Sequence, residues 1–564
     1  MIKSKHKALT ANNKSNIGFK KMRLERKRQM NTFENALKET ISQEEVLTEN
    51  GAVGFKSSGH ALLDINFATA SLRNKSEDEI QKMFSEAYQE NPLLAVKWLF
   101  MLRDIRGNGM GERRSFRVCF RWLATVRKDL ILKLIPLVAE YGRWDDLFCL
   151  IDKSATIDAE VEAAVFDAID KQWAEDLTNM KAEKPISLLA KWIPSINTSS
   201  SKSVALAKRF CKYLQLSEKQ YRKTLSSMRK YLNVIEQKMS AKQWSEINYE
   251  AVPSKANVKY NAAFLRNDDA RRREFLGKLE KGEAKINSSA NFPCDIVHAY
   301  AGKVGYSYYS RTTRCTIDPA LEAMWKALPN YVKDLDTGST IVVADGSGSM
   351  CTAVSGSMTA LEVANSLAIY FSEKLNGPFK DKYITFSEDP QYVDMSNAKS
   401  LVEKICIALQ HNECANTNVE AVFDLLLKTA CTHQLKQEDI PSNVLIVSDM
   451  EWDSCAQSNS GSFSTYDYNT CKYVAKQTAL FEVLKKRWEA AGYKMPKLVF
   501  WNVASRSGAI PLQQNSMGVA LLSGFSTAIA KMAFSSKLDP YEVLVDALNE
   551  PRYDAVEAAV KDIL

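Results

Sequence analysis

One segment constrains the fold more than any other: an apolar run that ends in closely spaced oxygen side chains. The run Thr340–Ala344 is followed at once by Asp345, Ser347 and Ser349, with glycine at the two positions between them. Such a run predicts a strand buried on both faces of a parallel sheet. The glycines allow a sharp turn, so that the carboxylate and the two hydroxyls can face one point. Because these groups are hard oxygen ligands, the segment predicts a Mg²⁺ or Mn²⁺ site at the end of a buried strand.

Two further polar residues follow in the order that would complete such a site. Thr417 stands just before a helical pattern, and Asp449 closes a second apolar strand. The order Asp-x-Ser-x-Ser, then Thr, then Asp resembles the metal-ion-dependent adhesion site of the von Willebrand factor A family. Carried over by position, the resemblance implies the metal ligands Asp345, Ser347, Ser349, Thr417 and Asp449. It also implies that one coordination position is left for an Asp or Glu of a protein partner, which is adhesion and not catalysis.

Beyond residue 336 the chain alternates between strand and helix patterns. Apolar strand patterns occupy residues 340–345, 382–386, 443–448, 497–503 and 518–522, and helical patterns lie between them. This alternation predicts a parallel sheet that is covered by helices on both faces. Residues 336–564 are therefore expected to form a doubly wound, Rossmann-like α/β domain of the von Willebrand factor A type. The predicted metal site lies at the carboxyl ends of its strands, where such folds bind ligands.

Residues 41–335 are expected to form an α-helical domain. Ser76, Ser217 and Ser240 are each followed three residues later by Glu or Gln, the pattern of a capping box at a helix start. Apolar residues from Tyr221 to Met239 recur at helical spacing and predict one amphipathic helix. Many such helices with short connections indicate a stacked helical repeat, although the sequence has no strict period.

Three segments of this region carry a more specific resemblance. They begin at Trp98, Tyr141 and Ser187 and read Trp-Leu-Phe-Met-Leu-Arg-Asp-Ile-Arg-Gly-Asn-Gly-Met-Gly-Glu-Arg-Arg, Tyr-Gly-Arg-Trp-Asp-Asp-Leu and Ser-Leu-Leu-Ala-Lys-Trp-Ile-Pro-Ser. With a helical domain placed before a metal-site domain, they resemble the TROVE module of Ro-type ribonucleoproteins. An uncharacterised family of unknown function that shares this architecture is more similar still, over about residues 45–564. The resemblance to Ro proteins implies a HEAT-like helical domain that holds single-stranded RNA ends and structured RNA.

Basic residues of the helical region are the candidates for contact with RNA. Arg113, Arg117 and Arg121 recur every four residues, so they lie on one helix face, and two Arg-Lys pairs recur after seven. Basic stripes neutralise phosphates and give salt-sensitive affinity. The alternative for each stripe is a solvated face or one paired with acids such as Asp145 and Asp146. The full predicted set is Arg103, Arg106, Arg113, Arg117, Arg121, Arg222, Lys223, Arg229 and Lys230.

Positive charge is concentrated at the N-terminus. Residues 1–30 hold ten Lys or Arg against one acid, while the whole chain has a formal net charge of +8. Residues 1–40 are therefore expected to be a basic, flexible arm that either binds a polyanion or is simply solvated. The chain has no apolar run long enough for a membrane span and no secretory signal, and its cysteines are scattered. These features predict a cytoplasmic protein without a membrane partner or a small-molecule substrate.

No arrangement of residues points to catalysis. Two acids that follow Asp449, Glu451 and Asp453, are expected on the exposed rim of the metal-site loop, although a second metal held by them would suit a nuclease. We expect a non-enzymatic RNA-binding scaffold of the Ro type, whose Mg²⁺ site recruits a carboxylate of a protein partner. The alternative is an adaptor for an AAA-type ATPase that binds protein through the metal site without RNA.

Overall fold

The computed structural model describes most of the chain beyond residue 44. The described ranges are residues 45–50, 53–107, 109–151, 157–301, 305–307, 312–314, 316–452, 464–467, 472–475, 480–511, 519–537 and 539–564. The predicted basic arm, residues 1–40, lies outside these ranges, as does Asp453.

The first part of the chain is mostly helical, as predicted. Its helices, α1 to α15, span Ala61–Phe67, Glu77–Glu90, Pro92–Arg103, Arg114–Val126, Lys128–Leu134, Val138–Tyr141, Ala159–Lys181, Leu189–Trp192, Ser201–Tyr213, Glu218–Tyr231, Ile235–Ser240, Ser254–Asn267, Asp269–Glu280, Pro293–Ala301 and Pro319–Lys326. Two antiparallel hairpins accompany them, β1 (Glu45–Leu47) with β2 (Val53–Phe55) and β3 (Gly305–Ser307) with β4 (Thr312–Arg314). None of the described helices combines the length and the apolar character that crossing a membrane requires.

Two of the three predicted capping boxes start helices. Ser76 and Ser217 cap α2 and α10, and in each case the side chain of the residue three positions on accepts a hydrogen bond from the backbone N–H of the cap residue. The prediction for Ser240 is wrong, because this residue ends α11 and its hydroxyl donates to Glu236 O at 2.8 Å. A hydroxyl that bonds back to the preceding turn cannot cap the next helix.

The predicted continuous helix from Tyr221 to Met239 is also wrong, because the chain forms two helices, α10 and α11. The break lies at Asn233, whose φ is +52°. A residue in this left-handed conformation ends a helix, and Asn adopts it more readily than most residues do. The apolar face of α10 is buried as predicted, with Leu225 and Met228 in the core.

The second part of the chain is an α/β domain, as predicted. Its strands are β5 (Thr340–Asp345), β6 (Ala353–Ser355), β7 (Met358–Thr359), β8 (Lys382–Phe386), β9 (Gln391–Asp394), β10 (Asn443–Ser448), β11 (Ser464–Asp467), β12 (Lys472–Ala475), β13 (Lys497–Asn502) and β14 (Val519–Ser523). Its helices are α16 (Ala360–Lys374), α17 (Leu401–Gln410), α18 (Val419–Thr432), α19 (Leu480–Ala490), α20 (Ala530–Ala533), α21 (Pro540–Leu548) and α22 (Asp554–Val560).

Six of these strands form the central sheet, in the order β14-β13-β10-β5-β8-β9. The five predicted strands are parallel to one another. The prediction of an entirely parallel sheet is wrong at one edge, where β9 runs antiparallel to β8. The link between these two strands, residues 387–390, is long enough for a hairpin and too short for a parallel crossover. Because β5 and β10 are central neighbours, the residues at their carboxyl ends lie side by side.

The two parts of the chain pack against each other at several places. The last helices, α21 and α22, lie against α3, where Lys97 is buried and donates to Glu557 Oε2 at 2.8 Å. Arg552, between these helices, donates to Asp104 Oδ2 at 2.9 Å. In addition, Phe55 of β2 and Ile510 exchange two backbone hydrogen bonds of 2.9 Å. The N-terminal hairpin is thereby fixed to the loop that follows β13.

Candidate functional site

The carboxyl end of β5 gathers the predicted oxygen side chains. Asp345 is the last residue of this strand and is fully buried. Its Oδ1 accepts a hydrogen bond from Ser347 N at 2.9 Å, and its Oδ2 accepts one from Ser448 Oγ at 2.5 Å. The hydroxyl oxygens of Ser347 and Ser349 lie 3.0 Å apart. The motif thus folds into one compact group of oxygens.

This compact turn requires glycine at position 346, because the neighbouring residues leave no room for a Cβ atom. A Cβ at this position would lie 2.8 Å from Thr385 Oγ1 and 3.1 Å from Asn412 Oδ1. Asn412 is itself buried, and within the described residues neither polar atom of its side chain has a hydrogen-bond partner. Buried amides are rarely left unsatisfied, so this one fits a site whose polar groups help to bind a hydrated ion. The sequence does not predict Asn412 as part of the site, because only its position shortly before Thr417 distinguishes it from other asparagines.

Thr417 is buried on a neighbouring loop that is tied to the motif. Gly348 N donates to Ala415 O of this loop at 2.9 Å. Thr417 Oγ1 in turn accepts a hydrogen bond from Asn50 Nδ2 at 3.0 Å. The fourth predicted ligand therefore lies beside the first three and also contacts the N-terminal segment, which the sequence did not predict.

Asp449 adds a second buried carboxylate directly after β10. Burial, and then the charge of Asp345, raise the pKa of Asp449 to about 7, while a hydrogen bond from Ser349 and the charge of Arg506 act in the opposite direction. The guanidinium of Arg506 places Nη2 3.3 Å from Asp449 Oδ2. Two neighbouring buried acids resist carrying two negative charges unless a cation lies between them.

The donor set fits a hard divalent cation. Mg²⁺ prefers six oxygen ligands, commonly one or two carboxylates with waters, and Mn²⁺ accepts similar ligands. Within the described ranges, no three His, Cys, Asp or Glu side chains gather into a metal-binding group, so an ion at this site would depend on the hydroxyls as well as on the acids. The residues that could hold it are Asp345, Ser347, Ser349, Thr417 and Asp449.

Glu451 does not lie on an exposed rim, and that prediction is wrong. The residue is fully buried. Its Oε1 accepts hydrogen bonds from the backbone N–H groups of Arg506 and Ser507 at 2.7 Å, and its Oε2 accepts one from Glu49 N at 2.9 Å. Glu451 therefore holds two loops together, and its engaged oxygens do not favour the two-metal arrangement of a nuclease.

Five of the nine arginines and lysines predicted to bind RNA are bonded within the protein. Arg103 and Arg117 donate to Asp146 at 2.7 and 2.8 Å, and the first of these ion pairs is almost completely buried. The other three bonds are Arg121 with Glu77, Arg106 with Glu140 O and Arg229 with Ala190 O. The alternative of pairing with acids describes Arg103, Arg117 and Arg121, whereas Arg106 and Arg229 bond to backbone carbonyls.

The other four predicted residues, Arg113, Arg222, Lys223 and Lys230, are exposed. Within the described part of the chain they form no ion pair. They do not share one face, because Arg113 and Lys230 line a cavity whereas Arg222 and Lys223 do not. The structure thus separates the predicted basic stripe of α10 into a cavity side and an outer side.

This cavity, of about 1610 Å³, lies between the helical part and the α/β domain. Nine basic and three acidic residues line it, so its electrostatic potential is positive. Four of the basic residues belong to the predicted set, Arg103, Arg113, Arg229 and Lys230. Sequence reasoning missed Lys191 and Lys259, since no regular spacing connects these residues with the others.

Basic side chains and aromatic rings line the cavity together. Among the described residues, Arg113, Lys191, Lys230 and Lys259 have no carboxylate partner. Desolvation, followed by the charges of Arg143 and Arg117, lowers the pKa of Arg113. The aromatic lining residues are Trp192, Tyr260, Phe292 and Tyr331.

Comparisons with known proteins find one curated protein of similar sequence and a weak match to a solved structure. The chain is 28% identical over 533 residues to Uncharacterized protein L728 of Acanthamoeba polyphaga mimivirus, covering 89% of this chain and 86% of that protein. The crystal structure of the Deinococcus radiodurans RO (RSR) protein matches with 15% identity and a TM-score of 0.32, covering 80% of this chain and 99% of that one. A TM-score of this size does not establish a common fold.

Two family models match the chain. Residues 339–556 match Domain of unknown function (DUF7788), which coincides with most of the α/β domain. Residues 48–158 and 160–339 match Domain of unknown function (DUF2828), and these two segments make up more than half of the chain. The chain therefore belongs to the family described as Domain of unknown function (DUF2828).

Proposed function

We propose that this protein is a non-enzymatic scaffold that binds RNA in its helical part and a protein carboxylate at a divalent metal site. The observation that carries the proposal is the convergence of Asp345, Ser347, Ser349 and Asp449 at one edge of the sheet. Bound Mg²⁺ or Mn²⁺ would supply a Lewis-acidic position for the carboxylate of a partner. The protein side chains would hold the ion, and Met450, whose backbone has a strained left-handed conformation (φ +63°), directly follows Asp449.

The cavity supports the RNA part of the proposal. Cations without carboxylate partners can neutralise phosphates, and aromatic rings can stack on unpaired bases. Arg143 already lies over the Trp192 ring, with its guanidinium carbon 3.7 Å from the ring centre, so the cavity wall presents a cation and an aromatic ring together. The sequence segments that resemble the TROVE module direct the proposal to RNA in particular.

The metal site is tested by the Asp345→Ala variant. We expect wild-type protein to bind Mg²⁺ or Mn²⁺ in calorimetric titration, and the variant to give no heat of binding, because it loses one of two carboxylate ligands. Asp334→Ala, an exposed position that precedes β5, is the matched control and should bind like the wild type. Equal metal affinity of the wild type and Asp345→Ala would show that the ligand assignment is wrong.

The RNA site is tested by two lysines of the same helix. Lys230 lines the cavity and Lys223 does not, although both are exposed on α10. With a single-stranded RNA oligonucleotide and fluorescence anisotropy, Lys230→Glu should weaken binding and lower the log–log salt slope by about 0.7 per lost phosphate contact. Lys223→Glu should have little effect. The reverse result would place RNA on the outer face of the helix.

A further inference from the structure

The N-terminal segment Thr48-Glu49-Asn50, called the strap here, lies on the metal site. Thr48 Oγ1 donates to Trp452 O at 2.6 Å, and Glu49 N donates to Glu451 Oε2 at 2.9 Å. Asn50 Nδ2 donates to Glu451 O at 2.6 Å as well as to Thr417. Three successive residues of the strap therefore bind the loop that follows Asp449.

Arg506 connects the strap to the carboxylates of the site. Its Nη2 lies 2.8 Å from Glu49 Oε2 and 3.3 Å from Asp449 Oδ2, so one guanidinium bridges the two acids. Its Nη1 donates to Thr352 Oγ1 at 3.0 Å, beside the Ser349 loop. Arg506 thus supplies positive charge where the proposed ion would supply it.

The Arg506 side chain has a hydrogen-bond donor without an acceptor in the part of the chain that the structure describes. Within the described residues its Nε is buried and has no hydrogen-bond partner. A buried N–H without an acceptor carries a desolvation cost, which makes this arrangement easier to displace than a fully bonded one. The Glu49 side chain, by contrast, is 52% exposed and can move without opening the core.

We propose that the strap and Arg506 form an autoinhibitory contact, in which Arg506, held by Glu49, pairs with Asp449 in competition with the metal ion. The inference rests on the proposed metal site. A divalent cation at that site repels the guanidinium, so binding of the ion expels Arg506 and loosens the strap, and the face of the site becomes open to a partner's carboxylate. Binding of the ion therefore weakens the attachment of the strap, and attachment of the strap weakens binding of the ion.

Two matched variants test the competition by calorimetric titration with Mg²⁺ and Mn²⁺. Arg506→Gln removes the charge and should bind the ion at least about tenfold more tightly than the wild type, since a repulsive unit charge near the ion is lost. Arg506→Lys retains the charge and should stay within about threefold of the wild type. Equal tightening by both variants would attribute the effect to local packing and would overturn the proposal.

Hydrogen–deuterium exchange tests the movement of the strap. Addition of Mg²⁺ should increase exchange in a peptide that contains residues 46–50, because the Glu49 amide loses its bond to Glu451, and Asp345→Ala should show no change. If the wild type binds the ion while this exchange stays constant or slows, the strap proposal fails and the metal site stands. If only Arg506→Gln binds the ion, the strap proposal is supported. If neither binds it, both proposals fail.

Discussion

Asp146 is a buried acid that joins several segments of the helical part. It is fully buried, and it accepts hydrogen bonds from Arg103 Nε at 2.7 Å, Arg117 Nε at 2.8 Å and Arg143 N at 2.9 Å. Two of these three donors are charged, and the carboxylate thereby fixes α3 and α4 to the turn that contains Arg143. Removal of such an acid leaves a buried guanidinium without its partner. The free-energy cost of that unpaired charge is much larger than the net stabilisation that the intact pair provides.

Asp146→Ala should therefore lower the free energy of unfolding by about 3–5 kcal/mol, as measured by urea denaturation followed by tryptophan fluorescence. Asp129→Ala is the control, because Asp129 pairs with Arg127 on the surface and such pairs contribute little. Similar losses in the two variants would contradict a structural role for Asp146.

Among single residues, the sequence predicts a local group of side chains better than it predicts hydrogen bonds between distant positions. The convergence of the five candidate ligands could be predicted because their types and order form a motif and neighbouring strand ends bring them together, and the metal itself stays a prediction. The partner of Arg103 could not, since Asp146 lies 43 positions away and only the packed helices bring the two side chains together. The contact of Asn50 with Thr417, across 367 positions, is equally invisible in the sequence.

The break between α10 and α11 shows how one residue divides an element. Asn233 adopts a φ of +52°, and a β-branched residue there would crowd the second heavy atom on its Cβ against the backbone. Asn233→Val should lower the free energy of unfolding by about 1–2 kcal/mol, whereas Asn233→Gly should be tolerated. Thermal unfolding of the two variants measures the difference. A loss of equal size in both would mean that the Asn side chain, and not its backbone conformation, matters.

The elements themselves were predictable where their patterns are strong. The central strands β5, β8 and β10 have the predicted bounds, because continuous apolar runs mark them. Strand β9 was missed since it is a short edge strand with only one buried residue, Val393. The break at Asn233 was missed because apolar spacing continues across it, and a turn that preserves the buried face leaves no mark in that spacing.

For the whole molecule, the sequence predicts two parts but not the way in which they join. The C-terminal helices α21 and α22 follow the α/β domain in the chain and pack on the helical part, with Lys97 buried against them. The N-terminal hairpin reaches in the other direction and pairs with Ile510. The contact of the hairpin brings the strap to the proposed metal site, and residues of both parts line the basic cavity, so both proposed sites depend on the packing of the two parts.

The central claim is that the ends of β5 and β10 hold a divalent metal ion. Crystals of the full chain grown with Mn²⁺ test it directly through anomalous difference density. The account predicts one strong peak within about 2.0–2.3 Å of oxygens from both the Asp345-Ser347-Ser349 loop and the loops of Thr417 and Asp449. Density in which Arg506 still contacts Asp449 and no peak lies between the loops, at Mn²⁺ concentrations that saturate the protein in solution, would contradict it.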